Sequence, residues 1–175
     1  HGFDPARTHY RQDHWLGQGV YFFLSQEQAY WWASSISSHN RGSTPLIYQV
    51  QITAPDGKVL NLDDNEQVAL FFSRIEDAYF QALKEDKQPI FTNQTLRALF
   101  FDYYKKEYGV SVIVATFQKD CVRYAGVPQH GERLELQKEL AKRLGIYFKE
   151  TQVCVSDKLC IKETAIVYDG EDEVI

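Results

Sequence analysis

Methionine is absent from this chain of 175 residues, and only three cysteines occur, Cys121, Cys154 and Cys160. Three thiols are too few to staple a domain of this length, so the fold must rest on a packed core. They fit a reducing, cytoplasmic origin. No apolar run approaches the roughly 18–20 residues that a membrane span needs, and the N-terminal residues do not read as a secretory signal, so no membrane partner is expected. Cys-x-x-Cys and His-Glu-x-x-His are missing, and His9 and His14 lack the i, i+4 spacing that would put two imidazoles on one helix face. No metal is therefore expected. A Walker loop and a Gly-x-Ser-x-Gly elbow are missing as well. Cations are in deficit, 19 against 24 acidic groups for a formal charge of −5. That balance weighs against a broad phosphate-binding face, though not against a local basic stripe. The first residue is His1: either the chain is a fragment or methionines are missing from it. Spacings counted here are then minimum spacings, and part of a first strand before His1 is expected to be lacking.

Aromatic side chains, by contrast, are plentiful, with eleven Tyr and eleven Phe. They supply a core for one domain and argue against disorder outside the termini. Residues 1–19 hold Pro5, clustered charges and three histidines, and read as loop. Val20–Leu24 is a short apolar strand. Ser25 then caps a helix over Gln26–Ser34, with Ala29, Trp32 and Ala33 on one face. Ser34–Pro45 reads as loop, Leu46–Ile52 alternates as a half-buried strand, and Pro55-Asp56-Gly57 turns into a second strand at Lys58–Leu62. Asn65–Lys84 carries Val68, Phe71, Phe72, Ile75, Tyr79 and Leu83 at helical spacing. A further helix, about Thr95–Glu107, carries Leu96, Leu99, Phe100 and Tyr103 and ends at Gly109. Ser111–Phe117 is a β-branched, central strand. Glu132–Leu144 is a helix stopped by Gly145, and Thr151–Val155 and Thr164–Tyr168 are closing strands before an acidic, frayed tail. No repeat and no dividing linker is present, so residues 1–175 read as one α+β domain.

The densest run of signals is Leu16-Gly17-Gln18-Gly19-Val20-Tyr21-Phe22-Phe23, preceded by His1-Gly2 and followed by Ala29-Tyr30-Trp31-Trp32-Ala33. A Gly-x-Gly pair lets the backbone bend and approach a ligand, because glycine has no side chain in the way. It is not the dinucleotide fingerprint, whose third glycine and preceding strand are absent. Its plain alternative is a glycine turn leading into a core strand. Near the other end, the stretch from Tyr147 to Val155 carries Glu150-x-Gln152, and a period of two puts both side chains on one strand face. The plain alternative there is an exposed polar pair on an edge strand. Cys154, between Val153 and Val155, reads as a buried thiol rather than a nucleophile. Lys105, Lys106, Arg123, Lys138, Lys142, Arg143 and Lys149 could form a basic patch, but interspersed Glu132, Glu135 and Glu139 favour an ordinary solvated helix face.

Taken together, the His-Gly pair, the Gly-x-Gly-Val-Tyr-Phe run and the aromatic helix resemble the ADP-ribosyltransferase fold, in its poly-ADP-ribose-polymerase-like branch with a histidine–tyrosine–glutamate triad. The resemblance covers about the first 35 residues well and 146–162 loosely, and leaves the helical middle without a counterpart. It implies split antiparallel sheets around an NAD cleft with a helical insertion. It further implies an enzyme that moves ADP-ribose from NAD+, its substrate, to a protein or nucleic-acid acceptor and releases nicotinamide. By the same resemblance His1 would hold a ribose hydroxyl, the Gly2 backbone would pair with the carboxamide, and Gly19 would bring the loop close. Tyr21 would stack on the nicotinamide. Trp31 or Trp32 would form the opposite wall, one of the two being core. The triad glutamate falls at Gln152, which can anchor a hydroxyl but cannot offset positive charge. Either Glu150 is the catalytic acid with Gln152 as its neighbour, or Gln152 is a silencing substitution. Bacterial or phage-borne domains of this kind are most often toxins, effectors or defence factors, with an antitoxin or inhibitor protein as the implied partner. An inactive NAD- or ADP-ribose-binding module and a NAD glycohydrolase remain the alternatives.

Overall fold

Alternating and helical patterns both find their elements in the computed structural model, which describes residues 3–7, 14–39, 44, 46–84, 93–119 and 131–168. Among the described residues the order is β1 (Val20–Phe23), α1 (Gln26–His39), β2 (Ile47–Ile52), β3 (Val59–Asn61), α2 (Asn65–Lys84), α3 (Asn93–Tyr108), β4 (Val112–Lys119), α4 (Glu132–Leu144), β5 (Phe148–Val155) and β6 (Ile161–Tyr168). The architecture is mixed α+β. One sheet has the strand order β1-β5-β4-β3, and β2 and β6 form a second, two-stranded sheet. The expectation of antiparallel sheets fails at one pair: β3 runs parallel to β4, with Val59 opposite Val112, Leu60 opposite Ile113 and Asn61 opposite Val114. The reason is the connection, since α2 and α3 lie between the two strands and a long crossover is what a parallel neighbour requires. No described helix is long and apolar enough to cross a membrane.

Local chemistry sets the helix ends. Ser25 Oγ accepts from the Gln28 amide at 3.4 Å, and Asp64 Oδ1 accepts from Glu66 and Gln67 at 2.9 and 3.3 Å, capping α1 and α2. Gly109 and Gly145 close α3 and α4 in left-handed backbone, both at φ 66°. The amides of Gly145 and Ile146 return to the carbonyl of Ala141. Helix α1 runs past the expected stop at Ser34 to His39. Serine does not break a helix, and neither glycine nor proline intervenes before Gly42.

The chain divides into two compact units. One comprises His1–Tyr21, Ile52–Ala115 and Val153–Ile161; the other comprises Phe22–Gln51, Thr116–Gln152 and Lys162–Ile175. In the first, Leu60, Phe71, Ala98, Phe101, Tyr104, Ile113 and Val155 are buried. Phe71 stacks on Phe101 at 5.1 Å and meets Tyr104 edge-on at 5.0 Å. Arg74 donates to the Tyr104 hydroxyl at 2.9 Å and lies 4.6 Å over the Tyr108 ring. The apolar lines expected from spacing are only partly buried. Phe72 and Tyr79 of α2, and Leu99 and Tyr103 of α3, are exposed, and the buried line of α3 is Ala98, Phe101, Tyr104 and Lys105. Apolar residues cover more than one side of α3, so two different lines satisfy helical spacing. In the second unit the buried set mixes apolar Ile47, Leu134 and Ala141 with polar Gln28, Glu150 and Gln152.

Candidate functional site

Strand β5 turns Glu150 and Gln152 to the same side, and the two side chains are hydrogen-bonded: Gln152 Nε2 donates to Glu150 Oε1 at 2.6 Å. Lys119 Nζ, at the end of β4, lies 3.5 Å from the same oxygen. Glu150 is 2% exposed and the Lys119 side chain 10%. Removing a lone carboxylate from water costs several kcal/mol, so a facing ammonium and a donated amide are what allow this burial. One step along, the hydroxyls of Thr116 on β4 and Thr151 on β5 meet at 2.8 Å. Helix α1 is tied to the same strand by Gln28, whose amide donates to the Lys149 carbonyl at 3.2 Å.

Neither tryptophan of α1 is fully buried, which corrects the expectation that one of them is core. Trp32 stacks on Phe23 at 6.1 Å and Trp31 stands edge-on to Trp32 at 5.6 Å. Among the described side chains of the helix, the buried one is Gln28 instead.

In the other unit the Gly17-Gln18-Gly19 loop is clamped to α3. Asp102 Oδ1 accepts from the Gln18 amide at 2.6 Å, and Lys105 Nζ donates to the Gln18 carbonyl at 2.6 Å. The two side chains pair with each other at 3.5 Å, and Lys105 also reaches Cys154 Sγ at 3.4 Å. Gly17 sits at φ 74°, and a Cβ on it would strike the Asp102 carboxylate. A Cβ on Gly19 would stand 2.6 Å from Cys154 Sγ and 2.7 Å from the Val155 carbonyl oxygen. Both glycines thus let the loop lie flat on α3 and β5. Just upstream, the Arg97 guanidinium lies 4.8 Å over the Trp15 ring. The Tyr21 hydroxyl accepts from the Leu16 amide and donates to the Gly17 carbonyl, both at 2.7 Å. Its ring is 5.2 Å from that of His14. Burial, and then the nearby Cys154, push the Tyr21 phenol far above its usual range. Burial likewise pushes the Cys154 thiol up, with Lys105 pulling the other way. A cavity of about 390 Å³ opens beside the clamp, lined among others by Ala6, Gln18, Gly19, Asp102, Lys106 and Ser156.

Gly19 and Tyr21 therefore belong to the first unit, and Trp31, Trp32, Glu150 and Gln152 to the second. His1 and Gly2 lie outside the described residues, as do Arg123 and Cys121. Two charged residues, Lys119 and Asp102, escaped the sequence reading of the site, and Lys105 figured in it only as a member of a candidate basic patch. The signal for Lys119 was present. Extending the β4 alternation two residues beyond Phe117 puts it on the face of Ile113 and Ala115, which are buried. Lys105 belongs to no solvated patch, since it is buried, whereas Lys138 and Arg143 pair on α4 with Glu135 and Glu139 at 2.9 and 2.7 Å. The Cys154 and Cys160 side chains are both buried. Among the described residues no group of three or more His, Cys, Asp or Glu could hold a metal ion. Set against known proteins, the chain matches no family model, no curated protein and no solved structure.

Proposed function

We propose that the chain cleaves NAD+ at the bond between the nicotinamide nitrogen and C1′ of its ribose and passes ADP-ribose to a macromolecular acceptor. The observation that carries the reading is the buried Glu150 carboxylate on β5, with Gln152 and Lys119 on one of its oxygens. It gains weight from the resemblance of Leu16–Phe23 to the ADP-ribosyltransferase fold. In the reaction, the electron pair of the glycosidic bond leaves with nicotinamide, which departs neutral. Positive charge develops on the ribose C1′ and ring oxygen, an acceptor nucleophile bonds to C1′, and its proton is released. A fixed carboxylate lowers the barrier by facing that charge, and its contribution appears in turnover rather than in binding. Glu150 takes this role, and Gln152 positions it and offers both a donor and an acceptor to a ribose hydroxyl.

A binding module without turnover is the second reading. One observation favours it: the Glu150 charge is already balanced by Lys119. Labelled NAD+ incubated with the protein and cell extract, followed by separate protease and nuclease digestion, separates the cases. Transfer gives free nicotinamide together with label in macromolecules, and glycohydrolysis gives nicotinamide alone. Binding measured by calorimetry with no nicotinamide released gives the module, and the absence of both binding and release overturns the assignment.

A further inference from the structure

We infer that the Arg97 guanidinium, laid on the ring of Trp15, is an oxyanion-binding site that takes a phosphate or carboxylate group through its two Nη groups. Both residues belong to the first unit. Arg97 is half-buried on α3, and its guanidinium lies 4.8 Å over the Trp15 ring. Its Nε is enclosed with no acceptor, and no described residue gives any of its N–H groups a hydrogen bond or an ion pair. The Nη groups are not enclosed, so they are the donors that a ligand reaches.

Other cations of the structure are treated differently. Lys105, Lys119, Lys138 and Arg143 each face a carboxylate, and Arg74 donates to the Tyr104 hydroxyl. The chain has 24 acidic side chains, yet none of the described ones is paired with Arg97. Its neighbours three and four residues away on α3 are Asn93, Gln94, Phe100 and Phe101, all uncharged. Tyr21 is the ionisable group that bears on it, but burial keeps that phenol neutral, and its hydroxyl is engaged by Leu16 and Gly17. Burial also disfavours the charged form of Arg97 itself. An anion at the Nη groups offsets that penalty by pairing the charge. The indole holds the guanidinium plane, which leaves a pair of N–H donors pre-organised for two oxygens of one ligand.

The inference does not depend on NAD+ turnover, and inorganic phosphate is the probe. Heteronuclear NMR of the full chain follows the Arg97 Nε–H signal, assigned by its loss in R97K, as phosphate is added at constant ionic strength. The signal should move and saturate with a Kd of about 1 mM, the affinity that two charge-assisted hydrogen bonds supply. Phosphate should also raise the melting temperature of the wild type. R97Q should fold normally and lose that rise, and R97K should bind about tenfold more weakly, because an ammonium neither stacks nor forks. Acetate titrated in parallel distinguishes the ligands: tighter binding of phosphate assigns a phosphate group, and tighter binding of acetate a carboxylate. An Nε–H signal that does not saturate, or that moves equally with chloride, overturns the inference, and so does a phosphate-dependent rise that survives R97Q. A signal that shifts in D13N without phosphate also overturns it, since Asp13, outside the described residues, would then be the partner of Arg97.

Discussion

Glu150, Gln152 and Lys119 make a small charge-balanced group, and its members answer differently to substitution. Glu150→Gln is expected to cut nicotinamide release by orders of magnitude while leaving NAD+ affinity nearly unchanged, because in the proposed reaction the carboxylate would act on charge that appears only in the transition state. Steady-state kinetics together with titration calorimetry check this split. Gln152→Glu places a second carboxylate beside Glu150 with a single lysine to balance both, and activity is expected to fall. A sharp rise would instead make residue 152 the catalytic position and the glutamine a silencing change. Tyr21 tests the other unit. Tyr21→Phe leaves the Leu16 amide and the Gly17 carbonyl without their hydroxyl partner, at a cost of about 1–3 kcal/mol in denaturant unfolding. The buried phenol also has a pH signature. Unfolded, it ionises near its ordinary value of 10.0; folded, it keeps its proton well beyond that. Its contribution is complete below about pH 10 and is lost as pH rises further, because unfolding there releases a proton. Thermal melts between pH 8 and 11 should show this loss in the wild type, and a shallower one in Tyr21→Phe.

At the scale of elements, the Gly17–Gly19 loop is as much a packing device as a candidate ligand cradle. Gly19→Ala drives a methyl group into Cys154 Sγ and the Val155 carbonyl oxygen and should destabilise the fold by about 1–3 kcal/mol. Chemical denaturation measures it. If Gly19→Ala keeps full stability and changes only NAD+ binding, the glycine serves the ligand and not the packing. Much of the element order was legible in the sequence, for reasons that can be named. Helices α2 and α4 keep the expected bounds, Asn65–Lys84 and Glu132–Leu144, because Asp64 marks the start of one and Gly145 the end of the other. The burial of α3 was not legible, because the line through Leu96, Leu99 and Tyr103 and the line through Ala98, Phe101 and Tyr104 have the same period. The i, i+2 spacing of Glu150 and Gln152 suffices to place both on one strand face. That Lys119 meets them depends on strand pairing between β4 and β5, a long-range fact that local periodicity does not contain. The loop clamp was hidden in the same way: Asp102 and Lys105 at i, i+3 look like a solvated helix pair until Gln18, more than eighty residues earlier, comes to lie on them.

For the whole molecule, net charge bears on the acceptor. With a formal charge of −5, long-range attraction toward a polyanion is weak. Label transferred from NAD+ is therefore expected mainly in protease-sensitive material, with only a modest fall in transfer as salt rises from low to physiological levels. A steep fall, with label in nuclease-sensitive material, would move the acceptor to RNA or single-stranded DNA. Cleavage of the nicotinamide–ribose bond by means of Glu150, as proposed, is decided by nicotinamide release from NAD+ in the presence of cell extract, followed in parallel for the wild type and Glu150→Gln. The wild type should release nicotinamide and the variant almost none, with the variant still binding NAD+ and melting at the wild-type temperature. No release by the wild type, or equal release by both proteins, would contradict it.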